Sequence, residues 1–317
     1  MRIYQTFDDI APEHRRGVIA IGNFDGVHLG HRAVIDEAGR IAKAAGAPWG
    51  VLTFEPHPRM MFTPDTPPFR ITPFVQKSRI LDELSIDFLV VLNFDLALSR
   101  MPAEAFVESV LVDGLHARHV VAGFDFVFGH QRRGTAQFLE AEGKKRGFGT
   151  TGIGQVVDET NEIVSSTRIR AFLADGKPRE AARLLGRPYE IVGRVTGGDQ
   201  RGRTLGFPTA NLMLSATTQP AFGVYAVRAG VEENETTVWH DGVANLGYRP
   251  TFGGTTPVLE TNIFDFADDI YGKHLRVALI EFIRPERKFD GVAALTEQIK
   301  RDSEAARALL AKAGRKA

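Results

Sequence analysis

The chain changes its pattern once, at Gly186-Arg187-Pro188. Before that point short apolar runs alternate with helical patterns. VIAIG (18–22), GVLTF (50–54), DFLVVLNF (87–94), HVVAG (119–123) and GIGQVV (152–157) read as buried strands. Between the first two, Val34, Ala38, Ile41 and Ala45 keep a spacing of four, three and four, which predicts an amphipathic helix that Gly46 can end. Thr72-Pro73 predicts a capped start to a helix through Ile80, Leu81 and Leu84. Phe106, Val107, Val110 and Leu111 predict another, and two short helices are expected near 166–175 and 178–186. Strand-helix alternation of this kind implies an α/β domain, a parallel sheet with helices on both faces.

After Gly186-Arg187-Pro188 the runs IVGRVTG, GVYAVRAGV, TTVWHDGVANLG, VLETNIFDF and LRVALIEFI are β-branched or aromatic and are separated by turns. They predict a small antiparallel barrel. Val292, Leu295, Ile299, Ala306 and Leu309 predict a closing helix or helix pair, and the terminal AKAGRKA is expected to fray. A length of 317 residues exceeds the usual single domain, so two are expected, 1–186 and 187–317.

Charge narrows the partners. Lys+Arg and Asp+Glu both number 39, divided 22 against 23 up to Gly186 and 17 against 16 after it. Neither half is a basic body, so an extended nucleic-acid footprint is not expected. There is no cysteine, which removes disulfides, thiolate metal sites and cysteine catalysis and fits a cytoplasmic setting. MRIYQTFDDIAPEHRRG lacks the apolar core of a signal peptide, and no run reaches the roughly 18–20 apolar residues of a membrane span. A soluble protein without nucleic-acid or membrane partners is expected, with self-association left open.

GNFDGVHLGH (22–31) joins the first strand to the first helix and holds two histidines, His28 and His31. A glycine-rich turn into a helix start presents backbone N–H groups and the positive end of the helix dipole, an anion site at the carboxyl edge of the sheet. Histidines one helical turn apart can face one ligand and stabilise charge that grows at a phosphorus. The same pair also reads as two metal ligands without a recognisable third, or as two turn caps. It is not a GxGxxG dinucleotide fingerprint.

GNFDGVHLGH resembles the signature of the HxGH nucleotidyltransferases. TFEPHPR (53–59), GFDFVFGHQRRGT (123–135) and VSSTRIR (164–170) follow in chain order. Together they resemble the FMN adenylyltransferase module of bacterial bifunctional riboflavin kinase/FAD synthetases, which implies a Rossmann-like domain transferring adenylyl from ATP. The resemblance assigns Gly22, Phe24, Asp25, Gly30, Ser166, Thr167 and Arg168 to ATP and its phosphates, and His28 and His31 to catalysis. Phe54, Pro56, His57, Pro58 and Asp125 fall to the flavin. Taken alone, Ser166 to Arg168 also read as a capped helix with a surface arginine, Phe54 to Pro58 as a plain loop, and Asp125 as a strand end. Asp125 would repel a phosphate, so ribose, flavin or metal are the groups it would serve.

The second half has no Walker motif. GRVTGGDQRGRTLGFPTANL (193–212) is a glycine-rich basic strand-turn-strand ending in PTAN. In an extended chain Thr209 and Asn211 point the same way, and their hydroxyl and amide oxygens suit Mg²⁺; they equally read as two polar residues on a barrel strand. PTAN, GVYAV (223–227), GVANLGYRPTFGG (242–254), LETNIFDF (259–266) and DIYGKHLRVALIEFIRPERKF (269–289) resemble the riboflavin kinase module. That resemblance implies Thr209 and Asn211 as metal ligands, and Gly198, Arg203 and Gly206 at ATP. It places Arg284 at the flavin and makes Glu260 the acceptor of the proton from the riboflavin 5′-hydroxyl. Glu260 alone reads as a strand-edge carboxylate. The family often has His two residues after this glutamate, where this chain has Asn262. Riboflavin, FMN, FAD, ATP, ADP and pyrophosphate are the expected small-molecule partners, with Mg²⁺ entering with ATP.

Overall fold

A computed structural model of the chain describes residues 1–63, 67–197, 207–214, 217–233, 236–248 and 257–314. It divides into two compact units, Met1–Pro67 with Thr72–Ser166, and Pro68–Ile71 with Thr167–Ala317.

The first unit is built on β1 (Arg2–Tyr4), β2 (Val18–Ile21), β3 (Trp49–Glu55), β4 (Phe88–Asn93), β5 (His119–Gly123) and β6 (Gly149–Ile153). They form one sheet in the order β1-β4-β3-β2-β5-β6, and every neighbouring pair is parallel. Its helices are α1 (Leu29–Ala45), α2 (Pro58–Phe62), α3 (Phe74–Glu83), α4 (Leu96–Arg100), α5 (Ala103–Phe106, continued by a wider π-turned run Val107–Gly114) and α6 (Ala136–Arg146). The run VIAI is apolar throughout because β2 is covered on both faces. Ile19 and Ile21 join one apolar cluster with Leu52, Phe106, Val110 and Leu111. Val18 and Ala20 join the other, with Val34, Ile35, Ala38 and Ala42 of α1 and Ile80 and Leu81 of α3. Helix α1 ends where expected: Gly46 takes φ 58° and returns its N–H to the carbonyls of Ala42 and Lys43.

The short helices α2 and α4 add to the expected set, and three further elements differ from it. The strand placed at 152–157 forms instead at Gly149–Ile153. It is an edge strand with no fully buried residue, so the apolar pattern that marks the inner strands does not mark it. Strand β1 was not foreseen for the same reason, since two of its three residues are exposed. Helix α6 was missed because Leu139 is its only buried large apolar side chain.

The second unit contains α7 (Ser166–Ala174, which begins on the last residue of the first unit), α8 (Pro178–Leu185), the strands β7 (Tyr189–Arg194), β8 (Ala210–Met213), β9 (Gly223–Glu233), β10 (Thr236–Tyr248), β11 (Pro257–Ile263) and β12 (His274–Pro285), and α9 (Val292–Ala313). The strands run β7-β12-β9-β10-β11-β8 with antiparallel neighbours. A bridge from Thr196 to Asn211 joins the chain after β7 to β8, with Thr196 N–H donating to the Asn211 carbonyl at 3.0 Å. The sheet thus curls on itself as a small barrel. Ala306 and Leu310 of α9 seal one apolar cluster with Val224, Ala226, Val243 and Phe264. The closing helix is a single one, and Ala311–Ala313, expected to fray, are its last residues.

The division into compact units falls twenty residues before the change in sequence pattern. Residues 167–186 are helical, like the first half, yet they pack on the barrel. Arg179 pairs with Glu281 of β12 at 2.6 Å, and Ala181, Leu184 and Leu185 are buried. Four residues from far earlier, Pro68–Ile71, join them: the Phe69 carbonyl accepts from Arg170 Nε at 2.6 Å, and that of Arg70 from Thr218 N–H at 2.7 Å.

Candidate active sites

In the first unit the chain leaves β2 in one direction through β3 and β4 and in the other through β5 and β6. The carboxyl ends of β2 and β5 therefore flank a topological switch point, where open α/β sheets bind ligands. GNFDGVHLGH leaves β2 there, the Pro56-His57-Pro58 segment leaves the neighbouring β3, and the turn with Asp125 leaves β5.

His28 is the N-cap of α1, and its Nδ1 accepts the N–H of His31 at 3.3 Å. In the neutral ring that bond puts the proton on Nε2, which makes Nε2 the donor of the imidazole. The rings of His28 and His31 are stacked, with centroids 3.6 Å apart and planes at 17°. Phe24 meets His31 edge-on at 5.4 Å. Gly30 keeps the space between the histidines tight: a Cβ there would lie 3.1 Å from His28 Cε1 and 3.4 Å from the Val164 carbonyl. Gly22, where a Cβ would lie 3.0 Å from the Phe24 ring, opens the turn.

The turn is anchored from α3 and the residues before it. The Asp25 carboxylate, 3 % exposed, accepts Thr72 N–H at 3.2 Å, and the Thr72 hydroxyl accepts Gly26 N–H at 3.1 Å. Asp25 is thus at the site but is spent on its scaffold as well. Ser166 donates its hydroxyl to the Asp25 carbonyl at 2.9 Å, which brings the start of VSSTRIR to the HxGH turn. Thr167 and Arg168 follow in the first turn of α7, and the Arg168 guanidinium lies 5.5 Å from the Phe172 ring.

The residues expected at the flavin are placed unequally. Phe54 is buried in the apolar cluster against Phe94 and Phe106, so its ring has little surface for a ligand. His57 caps α2, its Nδ1 accepting Arg59 N–H at 3.2 Å, with Pro56 and Pro58 on either side. Met60 and Phe62 of α2 are exposed, and Phe62 meets Phe94 at 6.0 Å. The short run MMF after TFEPHPR thus sets two exposed apolar side chains beside the residues expected at the flavin. Asp125 is exposed in the turn after β5.

In the second unit a cavity of about 390 Å³ is lined by Pro208, Thr209, Asn211, Thr261, Asp268 and Tyr271 among others. Asn211 and Glu260 are register partners on β8 and β11. Asn262, two residues on, donates from its amide to the Pro208 carbonyl at 2.7 Å and so holds the first residue of PTAN. Arg284, expected at the flavin, is held by Asp302 of α9 through contacts of 2.7 to 3.1 Å, and Gln298 donates to the same carboxylate. Its guanidinium also lies 5.6 Å from the Phe289 ring. Gly198, Arg203 and Gly206 lie outside the described residues. Among the described residues no three His, Cys, Asp or Glu side chains group as a metal cage, and no helix is long and apolar enough to cross a membrane.

A family model for FAD synthetase matches residues 10–168, and one for riboflavin kinase matches residues 185–310. The bifunctional riboflavin kinase/FMN adenylyltransferase of Pseudomonas fluorescens is 40% identical over 312 residues, 98% of each chain. This chain belongs to that family. The Bacillus subtilis (strain 168) member is 39% identical over 94% of this chain and 93% of its own. A solved structure from Streptococcus pneumoniae, described as a macrolide-efflux protein, is 34% identical and superposes with a TM-score of 0.84 over 96% of this chain and 98% of that one. The two matched segments are the bifunctional family's two halves in its own order, an α/β nucleotidyltransferase unit and a curled antiparallel kinase unit.

Proposed function

We propose how this chain divides the two reactions of its family. The chain is a riboflavin kinase and an FMN adenylyltransferase. It phosphorylates riboflavin with ATP to FMN, then joins FMN to the AMP of a second ATP, giving FAD and pyrophosphate.

The adenylyl transfer belongs to the first constellation, and the observation that carries this is the bond from His31 N–H to His28 Nδ1. It fixes His28 at the N-terminus of α1, where a triphosphate would lie with its charge against the helix dipole. An FMN phosphate oxygen attacks the α-phosphorus directly and pyrophosphate leaves, with no covalent enzyme intermediate. His28 and His31 stabilise the growing charge, Ser166, Thr167 and Arg168 hold the triphosphate, and Pro56, His57, Pro58 and Asp125 form the flavin side.

The phosphoryl transfer belongs to the second constellation. Glu260 accepts the proton of the riboflavin 5′-hydroxyl as that oxygen attacks the γ-phosphorus and ADP leaves. Thr209 and Asn211 offer hard oxygen donors, which fit a Mg²⁺ ion that arrives with the nucleotide. There it would neutralise charge on the transferring phosphoryl group. Arg284 fits a supporting role better than direct flavin contact, because Asp302 already occupies its guanidinium. The cysteine-free sequence fits a cytoplasmic setting.

The test is the double variant His28→Ala/His31→Ala supplied with riboflavin, ATP and Mg²⁺. FMN should accumulate while FAD formation stops, since one lost preorganised donor costs about 10²–10³ in rate. Undiminished FAD synthesis would remove the histidines from the mechanism.

A further inference from the structure

Lys77 lies on α3, outside every motif above, and is 1 % exposed. A lysine ammonium is costly to take out of water unless its donors are met. This one is bound by Glu55 Oε1 at 2.8 Å, the Asn23 carbonyl at 3.1 Å and Thr53 Oγ1 at 3.4 Å. Thr53 donates its hydroxyl to the same Asn23 carbonyl at 3.1 Å, so the three oxygens form one cluster.

The oxygens come from two different segments. Asn23 is in the turn that carries His28, and Glu55 immediately precedes Pro56, His57 and Pro58. The turn needs external support: Phe24 and Val27 take φ 50° and 41°, a left-handed conformation that is unfavourable for a bulky or β-branched residue. Thr72 supports one end of it, at Asp25 and Gly26. Lys77 supports the other, and is the charge that ties it to the β3 loop.

We infer that Lys77 is a positioning residue for adenylyl transfer, its ammonium setting the spacing between the nucleotide turn and the flavin loop. This rests on the proposed reading of those two segments. The ammonium touches neither substrate in this role; it fixes where the two reacting phosphates meet.

The test is Lys77→Met in the full chain, with FAD formation from FMN and ATP measured beside FMN formation from riboflavin. Misplacement by about an ångström costs about 10² in rate. The kcat for FAD formation should fall by that order with both KM values little changed, and FMN formation should be unaltered. A lysine that only supported the fold would lower the melting temperature and leave kcat per folded molecule intact, and that result would overturn the inference. Should Lys77→Met not fold, Glu55→Gln removes the opposing charge at nearly constant shape. It should show the same loss of kcat confined to FAD formation, and a normal kcat there would equally overturn it. The His28→Ala/His31→Ala chain separates the causes: if it is inactive while Lys77→Met is fully active, the turn is the site and only the role of Lys77 fails. If the double variant makes FAD normally, the underlying reading has failed.

Discussion

Asn211 and Glu260 stand opposite each other across the antiparallel pair β8–β11. Directly opposed side chains share a face of the sheet, with Cβ atoms about 4.5–5.5 Å apart. The proposed metal ligand and the proposed base are therefore neighbours through strand register alone. Glu260→Gln keeps the size and the hydrogen-bonding reach but cannot accept a proton. Turnover of riboflavin to FMN should fall by about 10²–10⁴, with riboflavin affinity, read by fluorescence titration, near normal. A loss of only a few-fold would mean that Glu260 orients the hydroxyl without taking its proton.

The amide of Asn262 holds the Pro208 carbonyl, and an amide does not titrate. Asn262→Ala removes that donor and frees the start of PTAN, so the apparent affinity for Mg·ATP in the kinase reaction should weaken by about two- to tenfold, the net worth of one hydrogen bond. Asn262→His should restore much of it near neutral pH while adding an ionisation near pH 6–7 to the kinase profile. A flat comparison of the three chains in Mg·ATP dependence and pH profile would show that the Pro208 contact has no bearing on the site.

Gly30 separates helix propensity from site geometry. Alanine in the first turn of α1 should stabilise the helix by up to about 1 kcal/mol, so the melting temperature should hold or rise. Yet the new Cβ would press on the His28 ring at 3.1 Å. FAD formation should drop at least tenfold in Gly30→Ala while FMN formation is unaffected. A chain that gains stability and keeps its FAD rate would show that the ring has room to move.

How much of this was legible in the sequence follows from what each pattern encodes. The strands β2 to β5 were readable because burial on both faces makes them apolar end to end, as VIAI shows. The HxGH turn was readable because its glycines and histidines are local. Lys77 was not, because a lysine in an amphipathic helix ordinarily marks the wet face. Its spacing to Ile80, Leu81 and Leu84 puts it on the apolar stripe, and that was the available signal. The packing of residues 167–186 on the barrel was hidden as well: pattern reports the type of an element, and partner choice depends on contacts such as Arg179 with Glu281 that span a hundred residues.

That last difference gives the sharpest test of the division of labour. A fragment from residue 184 to 317 keeps every strand of the barrel, Glu260, Asn211 and α9. It loses α7 and most of α8, whose Ile169, Leu173, Pro178 and Ala181 are buried within the second unit. A fragment from 167 to 317 keeps them. Burying a leucine side chain fully is worth about 1.5–3 kcal/mol, so the longer fragment should be the more stable by a few kcal/mol and melt at the higher temperature. Both should fold cooperatively and convert riboflavin to FMN, with equal turnover per folded molecule, because the residues proposed for the kinase reaction are common to both. Neither should make FAD from FMN and ATP, since His28 and His31 are absent. If the longer fragment melts cooperatively yet forms no FMN with abundant Mg·ATP, the kinase needs residues of the first unit and the two reactions are not carried by separable parts of the chain.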